Sequence, residues 1–251
     1  MKGFRTAALA AVLTVCSSFA QGQTLSDLIS AFSGEWYSFD RVRAQSGGVC
    51  EIDLTTEALG NVFVARSKSC GAVLDLLGAW GIADGQIVLL TEDQRTLGVL
   101  GGNQTRMTGD DLASGRSLIL ERRQPSGFVI TLQQAIRNQS CLYVGYTADC
   151  SDKTDVAQLL AAKADATVPL TTAARLNLRN QPRRDAPVAL VLDRLTQVSA
   201  LECLTASDGI WCKVDVDGTV GWLARNGLRQ QKWAVTTFEL ATEGPVLEVQ
   251  P

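Results

Sequence analysis

The chain has 251 residues, of which 46% are hydrophobic and 20% are charged, and its formal net charge is −3. This composition is typical of a folded protein, long enough for two small domains, and the lack of a basic excess argues against a nucleic-acid partner. Histidine is absent, which excludes Ser-His-Asp triads, Cys-His dyads and histidine-based zinc sites.

The first 20 residues have the pattern of a secretory signal peptide. Lys2 and Arg5 precede the apolar run "TAALAAVLTVCSSFA", which ends in small residues and is too short to span a bilayer. The Ser-Phe-Ala at 18–20 fits a signal-peptidase site, so we predict cleavage after Ala20 and a periplasmic or secreted protein. The alternative is lipidation of Cys16, although the residue before it is a valine, where a lipobox requires a small side chain.

Six cysteines follow the predicted signal peptide, and an even count in an exported protein predicts disulfides. Six cysteines allow 15 pairings, and their clustering favours the three local ones. These pairs are Cys50–Cys70, Cys141–Cys150 and Cys203–Cys212. If all six pair, no thiol nucleophile is left, and no SxxK motif stands out. We therefore expect a non-catalytic protein without catalytic residues, metal or cofactor.

A short amphipathic helix over about 25–33 is the first predicted element. Its apolar residues follow the i, i+3, i+4, i+7 pattern of one helix face: Leu25, Leu28, Ile29 and Phe32. Thr24 can cap the helix with Asp27 three residues on, and Gly34 is a natural stop.

Residues 34–123 read as short strands separated by Gly, Asp, Asn and Ser, a pattern typical of a barrel or sandwich. The segments are "GEWYSF", "VCEIDL", "VFVARS", "QIVLLTE", "TLGVLG", "TRMTG" and "SLILERR". One more strand, "GFVITLQQ", could follow. "CGAVLDLLGAW" interrupts the pattern and is better read as a helical turn with Val73, Leu76 and Leu77 on one face.

Residues 124–167 are predicted to form a bridge between two domains. "CLYVGYTADC" reads as a disulfide-closed hairpin, and an Ala-rich helix at about 154–163 follows. The second strand-rich domain spans 168–231, and the tail 232–251 could add one more strand before a loose end.

The segment "WCKVDVDGTVGWL", Trp211–Leu223, predicts a hairpin with a two-residue type I′ turn at Asp217-Gly218. The turn sets the register, so Val214 faces Gly221 and Lys213 faces Trp222. Alternation then puts Ile210, Cys212, Val214, Val216 and Leu223 on an apolar face directed to the core.

On the opposite face, Trp211, Lys213 and Trp222 lie together, with Lys213 close enough to Trp222 for a cation–π contact. Two interpretations are open for this cluster. The rings pack against a loop of their own domain or against the bridge, or they form a ligand-binding platform with Lys213.

The second domain resembles bacterial Src-homology-3-like domains over about 55 residues. The matching residues are Leu176-Asn177-Leu178-Arg179, Pro182, Pro187-Val188, Trp211, Lys213-Val214, Asp217-Gly218 and Gly221-Trp222-Leu223. The resemblance implies a five-stranded small barrel. It also implies a targeting or peptide-binding role, because members of that family are commonly extracytoplasmic modules of cell-wall proteins.

The first domain, 21–123, resembles the bacterial inhibitor barrels that block serralysin-type metalloproteases. The matching residues are Gly34, Trp36, Cys50, Leu54, Cys70, Trp80, Leu89-Leu90, Asp93, Arg95, Leu118, Leu120 and Arg122. The resemblance implies an eight-stranded, lipocalin-like barrel with a Cys50–Cys70 disulfide. It further implies a protease-binding N-terminal trunk, here Gln21, Gly22, Gln23, Thr24 and Leu25, whose free amine approaches the catalytic zinc.

The sequence thus predicts an all-β protein of two small barrels, eight-stranded and then five-stranded, joined by a partly helical bridge. The first hypothesis for its partner is a serralysin-type metalloprotease, with the second domain holding the inhibitor at the envelope. The alternative is a module that binds peptidoglycan or an envelope peptide without inhibiting anything. We expect neither nucleic acid nor a membrane span.

Overall fold

The computed structural model describes residues 24–45, 48–124, 126–152, 154–161 and 167–241. The predicted signal peptide 1–20, the trunk residues Gln21, Gly22 and Gln23, and the end of the tail from residue 242 lie outside these ranges.

Eight antiparallel strands in sequence order close into a barrel, as predicted. Closure is completed where Tyr37 of the first strand pairs with Glu121 of the last. The strands are β1 (Gly34–Ser38), β2 (Cys50–Leu59), β3 (Val62–Lys68), β4 (Leu77–Ala83), β5 (Gln86–Thr91), β6 (Thr96–Gly102), β7 (Arg106–Asp111) and β8 (Ser117–Glu121). Alternation along each strand sends one set of side chains inward, and the large interior residues include Trp36, Trp80, Leu89, Leu100 and Leu120.

Helix α1 (Leu25–Phe32) covers part of this core with Ile29 and Phe32. The predicted capping box is present: the Asp27 amide donates to Thr24 Oγ1 at 3.2 Å, and the Thr24 amide donates to Asp27 Oδ2 at 3.0 Å. Arg122, just after β8, donates to the carbonyls of Ala31 and Ser33, so the C-terminal end of the helix is held by a cation.

The predicted helical turn between Cys70 and Trp80 is a 3₁₀ turn at Ala72–Leu76. Leu76 is exposed, whereas Val73, Leu74 and Leu77 are buried, so the predicted face is wrong at Leu76. The tighter turn explains the difference, because residues three apart are aligned in a 3₁₀ helix and Leu74 therefore lies above Leu77.

The segment "GFVITLQQ" is not a strand but the beginning of helix α2 (Gly127–Asn138), capped by Ser126. Val129, Leu132 and Ala135 are its buried residues, and the helix packs against Ala234 of the C-terminal region. Gln139 fixes this contact, because its amide group both donates to and accepts from the Ala234 backbone, at 3.0 and 2.6 Å.

The C-terminal domain is built on a seven-stranded sheet in the order β12-β11-β15-β14-β13-β10-β18. Its strands are β10 (Val168–Thr172), β11 (Leu176–Arg179), β12 (Val188–Leu192), β13 (Gln197–Ala206), β14 (Gly209–Val216), β15 (Thr219–Ala224) and β18 (Phe238–Leu240). The five strands β11–β15 correspond to the predicted small barrel. Two further strands, β10 and β18, extend the sheet beyond β13.

A second sheet of three strands combines the bridge with the predicted tail. It consists of β9 (Tyr143–Val144), β16 (Asn226–Arg229) and β17 (Trp233–Thr236), with β9 parallel to β17. Helix α3 (Thr154–Ala161) contributes the buried Leu159 to the core of the C-terminal domain. Residues 233–240 therefore form two strands of the folded domain, where the sequence suggested one.

All three predicted disulfides are present: Cys50–Cys70, Cys141–Cys150 and Cys203–Cys212. Cys203 and Cys212 are directly opposite each other on β13 and β14, with their Cα atoms 4.0 Å apart. Each bond closes a short loop, so each stabilises its own domain or the bridge rather than joining the two domains.

Candidate functional site

The β14–β15 hairpin has the register that its Asp-Gly turn predicts. Val214 pairs with Gly221 and Lys213 with Trp222, while Asp217 and Gly218 have φ of 49° and 83°. The Asp215 carboxylate closes the turn by accepting from the Gly218 amide at 2.7 Å. The hairpin therefore places Trp211, Lys213 and Trp222 on one face, as expected.

Both tryptophan rings on this face are buried, Trp211 with 1% and Trp222 with 5% of its surface exposed. They pack against Ile119 on the outer face of β8 in the first barrel, together with Leu204 and Ala206. The sequence did not predict the cover by the first barrel. A loop of the same domain also contributes, because Arg184, between β11 and β12, lies over the Trp211 ring at 5.5 Å from its centroid. An open two-ring platform is therefore not formed.

Lys213 lies over the Trp222 ring, with Nζ 5.9 Å from the ring centroid, which confirms the predicted cation–π geometry. The same Nζ is 3.7 Å from Asp110 Oδ1 and 3.5 Å from Ser117 Oγ, both in the first barrel. The Lys213 ammonium group thus sits where the two domains meet.

A cleft of about 240 Å³ lies between the two domains, at the solvent-exposed edge of their interface. The first barrel contributes one wall from β7 and β8, and the C-terminal domain contributes the other from the 180–182 loop and the β14–β15 hairpin. The lining residues are Thr108, Gly109, Asp110, Ser117, Leu118, Asn180, Gln181, Pro182, Lys213, Val220, Gly221 and Trp222.

The cleft offers three kinds of interaction. Lys213 can pair with a carboxylate, and Asp110 can pair with an ammonium group or accept from amides. Asn180 and Gln181 carry both donors and acceptors. The exposed Val220 supplies apolar surface, to which the largely buried Trp222 adds little. A short peptide with both charged and aliphatic groups matches this combination.

Behind the cleft, a buried network of charges joins the domains. Arg106 of β7 contacts Glu121 Oε1 at 2.5 Å and Asp208 Oδ1 at 2.7 Å, and it donates to the Pro182 carbonyl at 2.6 Å. Asp208 lies in the β13–β14 turn and also accepts from Arg184 and from the Trp211 indole nitrogen, at 2.7 and 2.8 Å.

The network determines the ionisation of its members. Burial opposes the charged form of Asp208, but the positive charges of Arg106 and Arg184 outweigh it, and the pKa of Asp208 lies below its usual range. Burial likewise disfavours the Arg106 cation, yet Asp208 and Glu121 raise its pKa above the usual value. The interface thus holds ionised, paired groups at neutral pH.

Three further hydrogen bonds cross the same interface. Glu202 of β13 accepts from Arg116 Nε at 3.2 Å and from the Ser117 amide at 3.0 Å. Asn103 of the first barrel donates to Asp185 at 2.8 Å. The two domains are therefore held against each other by side chains as well as connected by the bridge.

The remaining site prediction concerns the protease-binding trunk. Of its five residues only Thr24 and Leu25 lie within the described ranges, where Thr24 caps α1 and Leu25 is its first helical residue. Any extended trunk would therefore consist of residues that precede Thr24.

The interdomain network was not predicted from the sequence. Arg106 and Asp208 are 102 positions apart, and neither belongs to a motif that would connect them.

In the described part of the chain, no group of three or more His, Cys, Asp or Glu side chains is arranged to hold a metal ion. Nor do the described residues include a helix with the length and hydrophobicity required to cross a bilayer.

Comparison with known families shows that residues 174–229 match the bacterial SH3 domain. No curated protein matches the chain significantly. The matched segment contains strands β11–β16, including the hairpin with Lys213 and Trp222. The protein therefore combines a bacterial SH3 domain at residues 174–229 with an eight-stranded closed β-barrel in its N-terminal part.

Proposed function

We propose that this is an exported, non-catalytic protein that binds a peptide or the peptide part of peptidoglycan in the interdomain cleft. The observation that carries the proposal is the position of the cleft. It is lined by Lys213 and Trp222 of the bacterial SH3 domain, a type of domain that suggests envelope or peptidoglycan binding.

The chemistry of the cleft supports a peptide ligand. A free carboxylate would pair with Lys213, whose present partner Asp110 is 3.7 Å away, beyond a normal hydrogen bond. An ammonium or amide group would reach Asp110, and an aliphatic side chain would lie on the exposed Val220. Peptides of bacterial cell walls combine these groups.

Export is part of the proposal and is supported by the predicted signal peptide and by three disulfides, which persist in oxidising compartments.

The proposal of a non-catalytic role is supported by the lack of two common catalytic side chains, the imidazole and the free thiol, after the predicted signal peptide. The chain has no histidine, and the six cysteines that follow the predicted signal peptide are all in disulfides.

Co-sedimentation with purified peptidoglycan sacculi tests the binding. We expect the wild-type protein to sediment with sacculi and Lys213→Ala to bind about tenfold more weakly, because a charge-assisted hydrogen bond contributes about 1.5–3 kcal/mol. Lys68→Ala is the matched control, since Lys68 is an exposed lysine on β3 that does not line the cleft. A wild-type protein that stays in the supernatant, or equal binding by the two variants, would contradict the proposal.

Metalloprotease inhibition is a second candidate, supported by the closed eight-stranded barrel, its Cys50–Cys70 disulfide and a helix that begins at Leu25, the last residue of the predicted trunk. Inhibition would require a free amine at Gln21, and an N-terminal glutamine can cyclise to pyroglutamate. Titration against a serralysin-type protease, with the N-terminus verified by mass spectrometry, tests it. An absence of inhibition at micromolar concentration with an open N-terminus would exclude this activity.

A further inference from the structure

Another cavity, of about 490 Å³, lies between the first barrel, helix α2 and the end of strand β13. It is separate from the interdomain cleft, because the described residues that line the two do not overlap. Three of its lining residues are arginines, Arg41, Arg122 and Arg123, and no described aspartate or glutamate lines it. We call it the arginine pocket, since it concentrates positive charge in a chain whose net charge is −3.

The three guanidinium groups have no carboxylate partner among the described residues. Eight other described arginines form ion pairs with aspartate or glutamate, but Arg41, Arg122 and Arg123 form none. Arg123 lies 5.3 Å from the centre of the Tyr37 ring, whose hydroxyl donates to Glu35 at 2.8 Å. Glu35 neither lines the pocket nor forms an ion pair with Arg123. The charge of the pocket is therefore left without a counter-charge inside it.

Arg122 shows what this means for a guanidinium that is half-buried. Four backbone carbonyls accept from it at 2.8–3.3 Å, and its pKa lies below the usual value because burial disfavours the cation. Burial also opposes the Arg106 cation, but there Asp208 and Glu121 outweigh it and raise the pKa. An anion bound in the arginine pocket would give Arg122 the counter-charge that Arg106 already has.

We propose that the arginine pocket binds the phosphate group of an organic phosphate ester. A carboxylate has one negative charge and two acceptor oxygens, whereas a phosphate monoester carries about −1.5 to −2 at neutral pH and has three acceptor oxygens. Phosphate therefore matches three cations better than carboxylate does. The cavity also falls within the range of about 300–1,000 Å³ that is typical of pockets for small organic ligands, so inorganic phosphate alone would leave most of it unfilled.

The remaining lining suits the organic part of such an ester. The half-buried Phe39 and the 37% exposed Val49 supply apolar surface for a carbon skeleton. Thr205 and Gln133 add a hydroxyl and an amide, and no hydrogen bond within the described residues uses either side chain. These two groups are available to bond to hydroxyl or carbonyl oxygens of the ligand.

NMR titration of the ¹⁵N-labelled protein with glucose 1-phosphate, and in parallel with sodium acetate, tests the proposal. We expect glucose 1-phosphate to shift the amide signals of Gln133 and Thr205 in a saturable way, and acetate to bind at least about tenfold more weakly, because it offers less charge and fewer acceptors.

Arg41→Gln and Arg123→Gln should each weaken the binding of glucose 1-phosphate at least about tenfold, because each removes a charge-assisted hydrogen bond. Arg194→Gln is the matched control, since it removes the same charge from an exposed arginine that does not line the pocket. Arg122 is left intact because it also holds the end of α1. If Arg123→Gln melts below the wild type, Arg123→Lys, which keeps the charge but loses the planar fork, replaces it.

Flotation with phosphatidylcholine vesicles that contain phosphatidic acid distinguishes the two sources of a phosphate ester. Vesicle binding that glucose 1-phosphate displaces would assign the pocket to a lipid headgroup. Binding of glucose 1-phosphate without vesicle binding would assign it to a soluble ester.

The absence of a saturable shift at about 10 mM glucose 1-phosphate would overturn the proposal. Equal weakening by Arg123→Gln and Arg194→Gln would also overturn it, as would acetate that binds as tightly as the phosphate ester. None of these results bears on binding to sacculi through the cleft, which Lys213→Ala tests separately.

Discussion

Asp208 joins the two domains through a buried ion pair with Arg106, in which Arg106 Nη2 is 2.7 Å from Asp208 Oδ1. Its two carboxylate oxygens accept from Arg106 in the first barrel, and from Arg184 and Trp211 in its own domain. Glu121 completes the arrangement by accepting from the Ser207 amide at 2.8 Å. Because Arg106 and Arg184 share this buried carboxylate, a neutral replacement leaves both cations without it and should be costly.

We predict that Asp208→Asn lowers the free energy of unfolding by about 3 kcal/mol, because the buried Arg106 and the partly buried Arg184 lose their shared anion. Asp193→Asn, at an exposed carboxylate in the same domain, should change it by less than about 0.5 kcal/mol. Urea unfolding of both variants measures the difference. Similar values for the two variants would show that the network contributes little to stability.

The same variant should alter the response to acid. The pKa of Asp208 is lower in the folded protein than its usual 3.8, so its stabilising effect is complete above the unfolded-state pKa and is lost as pH falls through the folded-state pKa. The stability difference between wild type and Asp208→Asn should therefore shrink between about pH 5 and about pH 2. A difference independent of pH in that range would show that the effect of the substitution is not electrostatic.

At the scale of elements, the residues of the Asp-Gly turn predict the strand register correctly, whereas strand propensity assigns one segment to the wrong type of element. The Asp-Gly turn correctly predicted the register of β14 and β15, because a two-residue type I′ turn permits only one pairing. The segment "GFVITLQQ" was misread as a strand because its β-branched residues favour strands locally. Packing of Val129, Leu132 and Ala135 at helical spacing outweighs that preference.

Gly218 and Gly127 both have room for a side chain but differ in backbone conformation. Replacing each by alanine therefore distinguishes the effect of backbone strain on stability from the effect of packing. No heavy atom lies within 4 Å of a Cβ added at Gly218 or at Gly127, but Gly218 has φ of 83° and Gly127 begins a helix. Gly218→Ala should destabilise the protein by about 1 kcal/mol, because L-residues avoid the left-handed region. Gly127→Ala should stabilise it by up to about 1 kcal/mol, because alanine restricts the unfolded chain.

Thermal or urea unfolding of the two glycine variants gives the sign of each effect directly. A stabilising Gly218→Ala would mean that the turn relaxes to another type. The turn would then not be what determines the register of the hairpin. The position of Lys213 over Trp222, which depends on that register, would have another cause.

At the scale of the whole molecule, the sequence predicted the two folded parts but not how they meet. The closed eight-stranded barrel and the SH3-like strands were implied by resemblance to known families, and the three disulfides were favoured by the clustering of the cysteines. The interface depends on side chains far apart in the chain, such as Ile119 with Trp211, and no local pattern connects them. The tryptophan cluster was therefore recognised, while the surface that covers it was not.

Ile119 offers a direct test of this packing, because it points outward from β8 between Leu118 and Leu120, which belong to the barrel core. Ile119→Asp places an unpaired carboxylate against Trp211 and Trp222 and should separate the two domains while leaving each one folded. Ile130→Asp, at an exposed isoleucine of α2, is the control. We expect Ile119→Asp alone to shift tryptophan emission to the red, increase the radius of gyration in small-angle scattering and split urea unfolding into two transitions. Retention of one transition and of the wild-type emission would show that the polar contacts alone hold the domains together.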